Sequence, residues 1–266
     1  MTVISVVIPA LNDAAMLKRC LDALAEQLRP ADEIIVVDNG STDDTADVAR
    51  AAGARVVTEP KRGIPAATAA GFDAASGSII GRLDADSVPP PGWVLRIEQR
   101  FESVPGLAAV TGPGEFYGAP RIVRRLGEVV YLGGMFWSMG WLLGHPPLFG
   151  SNFAISAAAW RRIRQTAHRD VRELHDDLDL SFQFTADMRV EYDSQLRVAV
   201  SARPFSSFGG LARRVYWAYT TLATNAREQS LLGRREERKE WERRMRPHFV
   251  GEGEEYGSAE DFGRPA

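Results

Sequence analysis

Ser78-Ile79-Ile80-Gly81-Arg82-Leu83-Asp84-Ala85-Asp86 is the stretch that decides the fold of this chain. The apolar run Ser78 to Leu83 reads as a buried strand, and it ends on two carboxylates two residues apart. Upstream lie three further apolar runs. Val3 to Pro9 and Glu33 to Val37 are β-branched and nearly continuous, the mark of strands covered on both faces. Ala54 to Val57 is a shorter one. Helical stretches separate them. Leu17, Cys20, Leu21, Leu24 and Leu28 recur at helical spacing. Ser41-Thr42-Asp43-Asp44 offers cap oxygens for a helix running to Ala52, and Ile64 to Ala75 is alanine-rich. Downstream, Pro89-Pro90-Pro91 sets up a helix from Trp93 to Phe101, and Leu107 to Val110 is a fifth strand. Repeated βα units predict an α/β fold, a Rossmann-like, mostly parallel sheet flanked by helices.

The second half is less regular. Arg121, Arg124, Arg125 and Glu128 form a charged helix face ahead of an aromatic, glycine-rich stretch from Tyr131 to Trp141. Gly150-Ser151-Asn152 is a turn. Helices are expected over Ala157 to Gln165 and Asp179 to Asp187, strands within Val190 to Val200, and one long helix over residues 211–246. Residues 251–266 are glycine-rich and acidic and read as a disordered tail.

The 266 residues are 45% hydrophobic and 25% charged, an ordinary globular composition, and the net charge of -3 argues against a nucleic-acid partner. The single cysteine, Cys20, excludes an intrachain disulfide and a cysteine zinc cluster. With no signal-peptide pattern at the N-terminus, the expected compartment is the cytoplasm. Val129 to Gly144 is uncharged over 16 positions but contains four glycines and a serine, short of the roughly 18 apolar residues of a spanning helix.

Chemistry gathers where strands end. In open α/β sheets, ligands bind outside the carboxyl ends of strands. Asp84 and Asp86 stand there as hard-oxygen groups suited to Mg²⁺ or Mn²⁺ beside a diphosphate. The plain alternative is a turn that happens to use aspartates. Asp38 ends the second strand and is placed to accept hydrogen bonds from a base or ribose. Asn39-Gly40 makes a turn, and Asn12 or Asp13 is expected to cap the first helix.

Three ordered segments, Val6 to Asp13, Ile35 to Asp43 and Arg82 to Asp86, resemble the motifs of family-2 glycosyltransferases, inverting enzymes of the GT-A fold. The resemblance implies that Pro9, Ala10, Asn12, Asp13, Asp38 and Asn39 hold the donor nucleotide. It implies that Asp84, Ala85 and Asp86 serve its ribose, diphosphate and metal, and that Arg62 reaches a phosphate. Gly150, Ser151 and Asn152 resemble the family's acceptor-side segment. Asp176-Asp177-Leu178-Asp179-Leu180 resembles its acidic stretch, in which Asp177 would be the general base. Asp176 replaces the usual glutamate, which leaves Asp176 and Asp179 as rivals for that role, or all three as helix caps.

The resemblance also implies a domain over residues 1–205, with a nucleotide-sugar half at 1–110 and an acceptor half at 111–205. A helical extension at 206–250 would follow. The implied donor is a nucleotide-diphosphate sugar, with uridine favoured over guanosine. The acceptor class stays open among glycan, lipid and small molecule. A sugar-phosphate nucleotidyltransferase is the enzyme rival, and a non-catalytic binding subunit the other. Arg121, Arg124 and Arg125 beside Tyr131, Phe136, Trp137 and Trp141, with Arg213, Arg214, Tyr216, Trp217 and Tyr219 farther on, admit two readings. One is peripheral contact with the inner face of the cell membrane. The other, the stronger here, is packing or a homodimer contact.

Overall fold

A computed structural model describes residues 2–118, 120, 124, 125, 127, 132–203 and 208–249. The strands are β1 (Ile4–Ala10), β2 (Glu33–Asp38), β3 (Arg55–Thr58), β4 (Ile79–Arg82), β5 (Leu107–Thr111), β6 (Gly114–Tyr117), β7 (Phe153–Ser156), β8 (Arg189–Tyr192) and β9 (Val198–Ser201). The helices are α1 (Ala14–Ala25), α2 (Thr45–Ala51), α3 (Ile64–Ala74), α4 (Trp93–Ser103), α5 (Gly134–Leu143), α6 (Ala157–Ile163), α7 (Asp176–Gln183), α8 (Phe208–Glu228) and α9 (Leu231–Phe249).

Seven strands form one sheet in the order β3-β2-β1-β4-β7-β5-β8. Every pairing is parallel except those of β7, which runs against both β4 and β5. β1 is central, with Ile8 beside Val36 and Val6 beside Gly81. Its alternation builds two cores. Val6 and Ile8 join Leu17, Leu21, Trp93 and Ile97 under α1 and α4. Val7 joins Ile35, Val37, Phe72 and Trp160 under α3 and α6. α3 lies close on the sheet because Gly71 has no side chain: a Cβ there would sit 2.3 Å from Val7 Cγ1. A second sheet, unforeseen from the sequence, pairs β6 with β9 in parallel.

Several boundaries differ from expectation. Leu28 lies beyond the end of α1 and is 73% exposed. α2 begins at Thr45, and its Asp44 cap makes no side-chain bond. Asp43 receives Thr45 N instead, at 3.1 Å. α7 starts at Asp176 rather than Asp179 and stops at Gln183, which places three aspartates in its first turn, where the helix dipole favours negative charge. The long C-terminal helix is two. Ser230 breaks it by accepting Gly233 N at 3.1 Å, a helix-starting cap. α9 is densely charged, yet Arg238 is buried, bonding the backbone oxygens of Met188 and Thr185 at 3.0 and 2.8 Å. The charged face around residues 121–128 is described only at Arg124, Arg125 and Gly127, and the expected tail at 251–266 lies outside the described residues.

Candidate active site

The carboxyl ends of β1, β2 and β4 meet at one edge of the sheet, and their loops brace one another. Asn12 takes a left-handed φ of 52°. Its amide donates to Ser41 Oγ at 3.0 Å, and its Oδ1 accepts Thr42 N at 2.7 Å. Asp13 N donates to Thr45 Oγ1 at 3.0 Å, and Asp43 Oδ2 accepts Ala14 N at 3.2 Å. The expectation that Asn12 or Asp13 caps α1 with its own side chain therefore fails. The cap is lent by Asp43 from the neighbouring loop, which locks the two loops into one surface. Asp38 Oδ1 accepts Ser41 N at 2.8 Å. Pro9 and Ala10 stand in β1 opposite Val37 and Asp38.

Two expected nucleotide contacts point inward instead. Asn39 is buried; its amide donates to the oxygens of Glu59 and Lys61, and its Oδ1 accepts Gly63 N at 2.8 Å. This side chain is spent on holding the β3–α3 loop, because a buried amide must satisfy all its polar atoms. Ala85 packs into the core beneath α1 and α4. Arg62 is exposed, and its guanidinium lies over Gly40.

Asp84 and Asp86 sit after β4, and each meets an arginine. Arg82 Nη1 bonds Asp84 Oδ1 at 2.6 Å, and Ser151 Oγ donates to Asp84 Oδ2 at 2.5 Å. Burial opposes ionisation of Asp84, but Arg82 and Ser151 outweigh it and hold the carboxyl below its usual range. Arg203 forks onto Asp13 and also reaches Asp86 Oδ2 at 3.2 Å. Burial and the Asp84 charge nevertheless push Asp86 up to about 6, against the pull of Arg203. Tyr117 donates to the Asp86 backbone oxygen at 2.8 Å.

Arg82 ties this edge to the second half of the chain. Its guanidinium is 1% exposed and bonds Asp84, the Gly150 backbone oxygen and Asp176. Gly150 N donates in turn to Asp177 Oδ2 at 2.6 Å. The three aspartates of α7 thus separate. Asp176 is buried and bonded to Thr68 and Arg82, and burial raises its pKa despite the arginine. Asp179 is buried and bonded to His168 and Asn225. Asp177 is half-buried and joined to the Gly150 turn. None of the three makes a side-chain cap at the helix start, which is His175.

Ser151 faces the site through Asp84. Asn152 does not. It is fully buried, accepting from Trp93 Nε1 at 2.8 Å and donating to the Pro113 and Leu196 oxygens. Its place on the acceptor side is therefore corrected to a brace behind the turn. Arg82 was legible as a charge inside an apolar strand, although no role was read for it. Arg203 had no local signal, since it acts across 190 positions of sequence.

The sequence pattern of Glycosyl transferase family 2 matches residues 5–171. The chain belongs to this family, and its sheet and flanking helices form the GT-A fold. It is 32% identical to glycosyltransferase AglE of Haloferax volcanii over 119 residues, 42% of this chain and 36% of that one. It is 36% identical to an undecaprenyl-phosphate 4-deoxy-4-formamido-L-arabinose transferase of Pseudomonas syringae over 109 residues, 37% of this chain and 32% of the relative. The chain thus spans about a third of the length of these relatives. Among solved structures, it resembles glucosyl-3-phosphoglycerate synthase of Mycobacterium tuberculosis in complex with Mg²⁺ and UDP, at 27% identity and a TM-score of 0.60 over 84% of this chain and 79% of that one.

Proposed function

We propose that this chain is a glycosyltransferase that moves a sugar, with inversion, from a nucleotide-diphosphate sugar to an acceptor hydroxyl, with Asp177 as the general base. The observation that carries the reading is the chain of contacts from Asp84 through Arg82 and Gly150 to Asp177. It sets a carboxylate pair and a separate carboxylate on two sides of one turn. Inversion needs a single base to take the acceptor proton as the oxygen attacks the anomeric carbon. The bond from that carbon to the diphosphate breaks, and its electron pair leaves with the phosphate oxygen. Asp177 is free of the buried ion pairs that occupy Asp176 and Asp179.

Residues 1–110 would hold the donor, with Pro9, Ala10, Asp13 and Asp38 at the nucleotide and Arg62 toward phosphate. Residues 111–205 would hold the acceptor, and 206–250 would be an appended helical extension. Asp84 and Asp86 fit a divalent ion chemically, as two carboxylates past the end of β4, of which Asp86 carries only the single 3.2 Å bond from Arg203. Among the described residues no three His, Cys, Asp or Glu cluster to cage an ion. That suits a cation held by one or two carboxylates and completed by substrate phosphates. Mg²⁺ or Mn²⁺ there would offset the charge of the departing diphosphate. UDP is favoured because the similar synthase is solved with UDP and with Mn²⁺ or Mg²⁺. A lipid-phosphate acceptor draws support from the undecaprenyl-phosphate transferase relative.

The test is a thermal-shift screen of UDP- and GDP-sugars with Mn²⁺, followed by donor hydrolysis. A ligand that binds only the native state raises its melting temperature. UDP-sugars with Mn²⁺ are expected to do so and to be slowly hydrolysed. Turnover of sugar phosphate with a nucleoside triphosphate would instead establish the nucleotidyltransferase.

A further inference from the structure

Arg203 holds two carboxylates that belong to different loops. Its Nη1 and Nη2 donate to Asp13 Oδ1 and Oδ2 at 2.9 and 2.7 Å, a two-pronged fork. The same Nη2 donates to Asp86 Oδ2 at 3.2 Å, a single and longer bond. Asp13 lies between β1 and α1, Asp86 between β4 and α4, and Arg203 just past β9 in the second sheet. One guanidinium therefore balances a carboxylate on each side. The contact is unequal, because bidentate arginine–carboxylate pairs are the stronger kind.

We propose that Arg203 is the resident cation of the Asp13–Asp86 pair, and that a divalent ion binds by displacing it from Asp86 alone. This rests on the reading of Asp86 as a metal carboxylate. An arginine and a divalent cation repel, and both seek the Asp86 oxygens. The weaker arm on Asp86 gives way, while the fork on Asp13 keeps the guanidinium at the edge of the site. Arg203 is then a regulator of metal occupancy. It holds the bare site in low affinity for free Mn²⁺ and leaves Asp86 most readily when an anionic nucleotide shares its charge. Metal and nucleotide binding become mutually reinforcing, as linkage demands of any such coupling.

The experiment is Mn²⁺ binding to the full chain, by electron paramagnetic resonance and calorimetry, with and without UDP. Without UDP, Arg203→Ala should bind Mn²⁺ roughly two- to fivefold more tightly than the unaltered chain, the scale of one half-exposed ion pair. Arg203→Lys should fall between. UDP should strengthen Mn²⁺ binding less in Arg203→Ala than in the unaltered chain. Equal or weaker Mn²⁺ binding by a folded Arg203→Ala would overturn the proposal. Asp86→Asn is the separate control. If it binds Mn²⁺ as well as the unaltered chain, the metal reading of Asp86 fails whatever Arg203 does. In the Arg203→Ala background, adding Asp13→Asn should weaken Mn²⁺ binding only a fewfold, by loss of a neighbouring charge. A loss as large as that of Asp86→Asn would make Asp13 a ligand and overturn its role as the anchor of Arg203.

Discussion

Arg82 Nη2 lies 3.1 Å from Asp176 Oδ2, and both groups are buried. This ion pair joins β4, which carries Asp84 and Asp86 at its end, to the first turn of α7, which carries Asp177. A buried pair of this kind contributes little beyond the cost of desolvating it, but losing one member strands the other charge. It therefore fixes geometry more than it adds stability.

Adjacent aspartates should fail in different ways. Asp177→Asn is expected to lower turnover on the acceptor by roughly 10²-fold or more, with donor binding and melting temperature near normal. Asp176→Asn is expected to destabilise the fold by about 1.5–3 kcal/mol, the scale of one lost charge-assisted hydrogen bond, because Arg82 keeps Asp84 as a partner. Kinetics and thermal melts on both variants check this. A stable but inactive Asp176→Asn beside an active Asp177→Asn would reverse the assignment.

Asp86→Ala should remove at least about 10²-fold of turnover, the scale of losing transition-state charge stabilisation. Asp84→Ala should be severe as well, and it also frees Arg82 Nη1 and Ser151 Oγ. EDTA should silence the unaltered chain. Full activity of Asp86→Ala in EDTA would refute the metal reading.

Gly150→Ala tests the turn between the two carboxylate groups. A Cβ at this position would sit 2.9 Å from both Arg82 Nη1 and Asp177 Oδ2. Neither can withdraw easily, since Arg82 is buried and Asp177 stands in the first turn of a helix. Turnover should fall by about 10²-fold, the scale of a misplaced reacting group. The UDP affinity should change much less. Equal losses in both would place Gly150 at the donor.

The parallel βα series was readable because each strand is a continuous apolar run and each loop carries its own turn residues, as at Asp38-Asn39-Gly40. What stayed hidden depends on distant partners. The inward turn of Asn39 follows from backbone groups near 59–63, and the burial of Asn152 from Trp93, Pro113 and Leu196. No local spacing encodes such pairings. The different surroundings of Asp176, Asp177 and Asp179 likewise depend on Thr68, Arg82 and His168.

His168 supplies a pH dependence. Its hydrogen bond to Asp179, with Glu228 on the other nitrogen, raises its pKa from 6.5 to about 9 although burial opposes the charge. A raised folded pKa stabilises fully below the unfolded value and is lost as pH rises through the folded one. The chain should therefore lose stability between roughly pH 7 and 10, by ~2–4 °C in melting temperature. Asn225 also donates to Asp179, so α8 should loosen from α7 as His168 deprotonates. His168→Gln should melt lower at pH 7 and show a flatter profile. An unchanged slope in the variant would remove His168 as the cause.

The aromatic stretches divide in the structure. Phe136 packs edge-on against Tyr192, and Trp217 against His175, as a packing role requires. Their neighbours are exposed. Trp137 is 62% exposed, Trp141 50%, Tyr216 54% and Tyr219 69%, with Arg213 exposed beside the last pair and Arg235 over the Trp141 ring. Tyr131 and Arg121 lie outside the described residues. Among the described residues no helix is long and apolar enough to cross a membrane. Exposed rings beside arginines suit the headgroup region of an anionic bilayer, where each ring keeps a polar edge wet. Met139 of α5 and Leu222 of α8, both partly buried, pack against the cluster around Leu178 and Phe182 of α7. The expected outcome is co-sedimentation with phosphatidylglycerol vesicles that weakens with salt and with Arg213→Glu. It should weaken independently with Trp137→Ser and Tyr219→Ser, because ring burial does not depend on charge. A chain that stays in the supernatant at every salt concentration, and forms a dimer that Tyr219→Ser breaks, would assign these faces to a second copy instead.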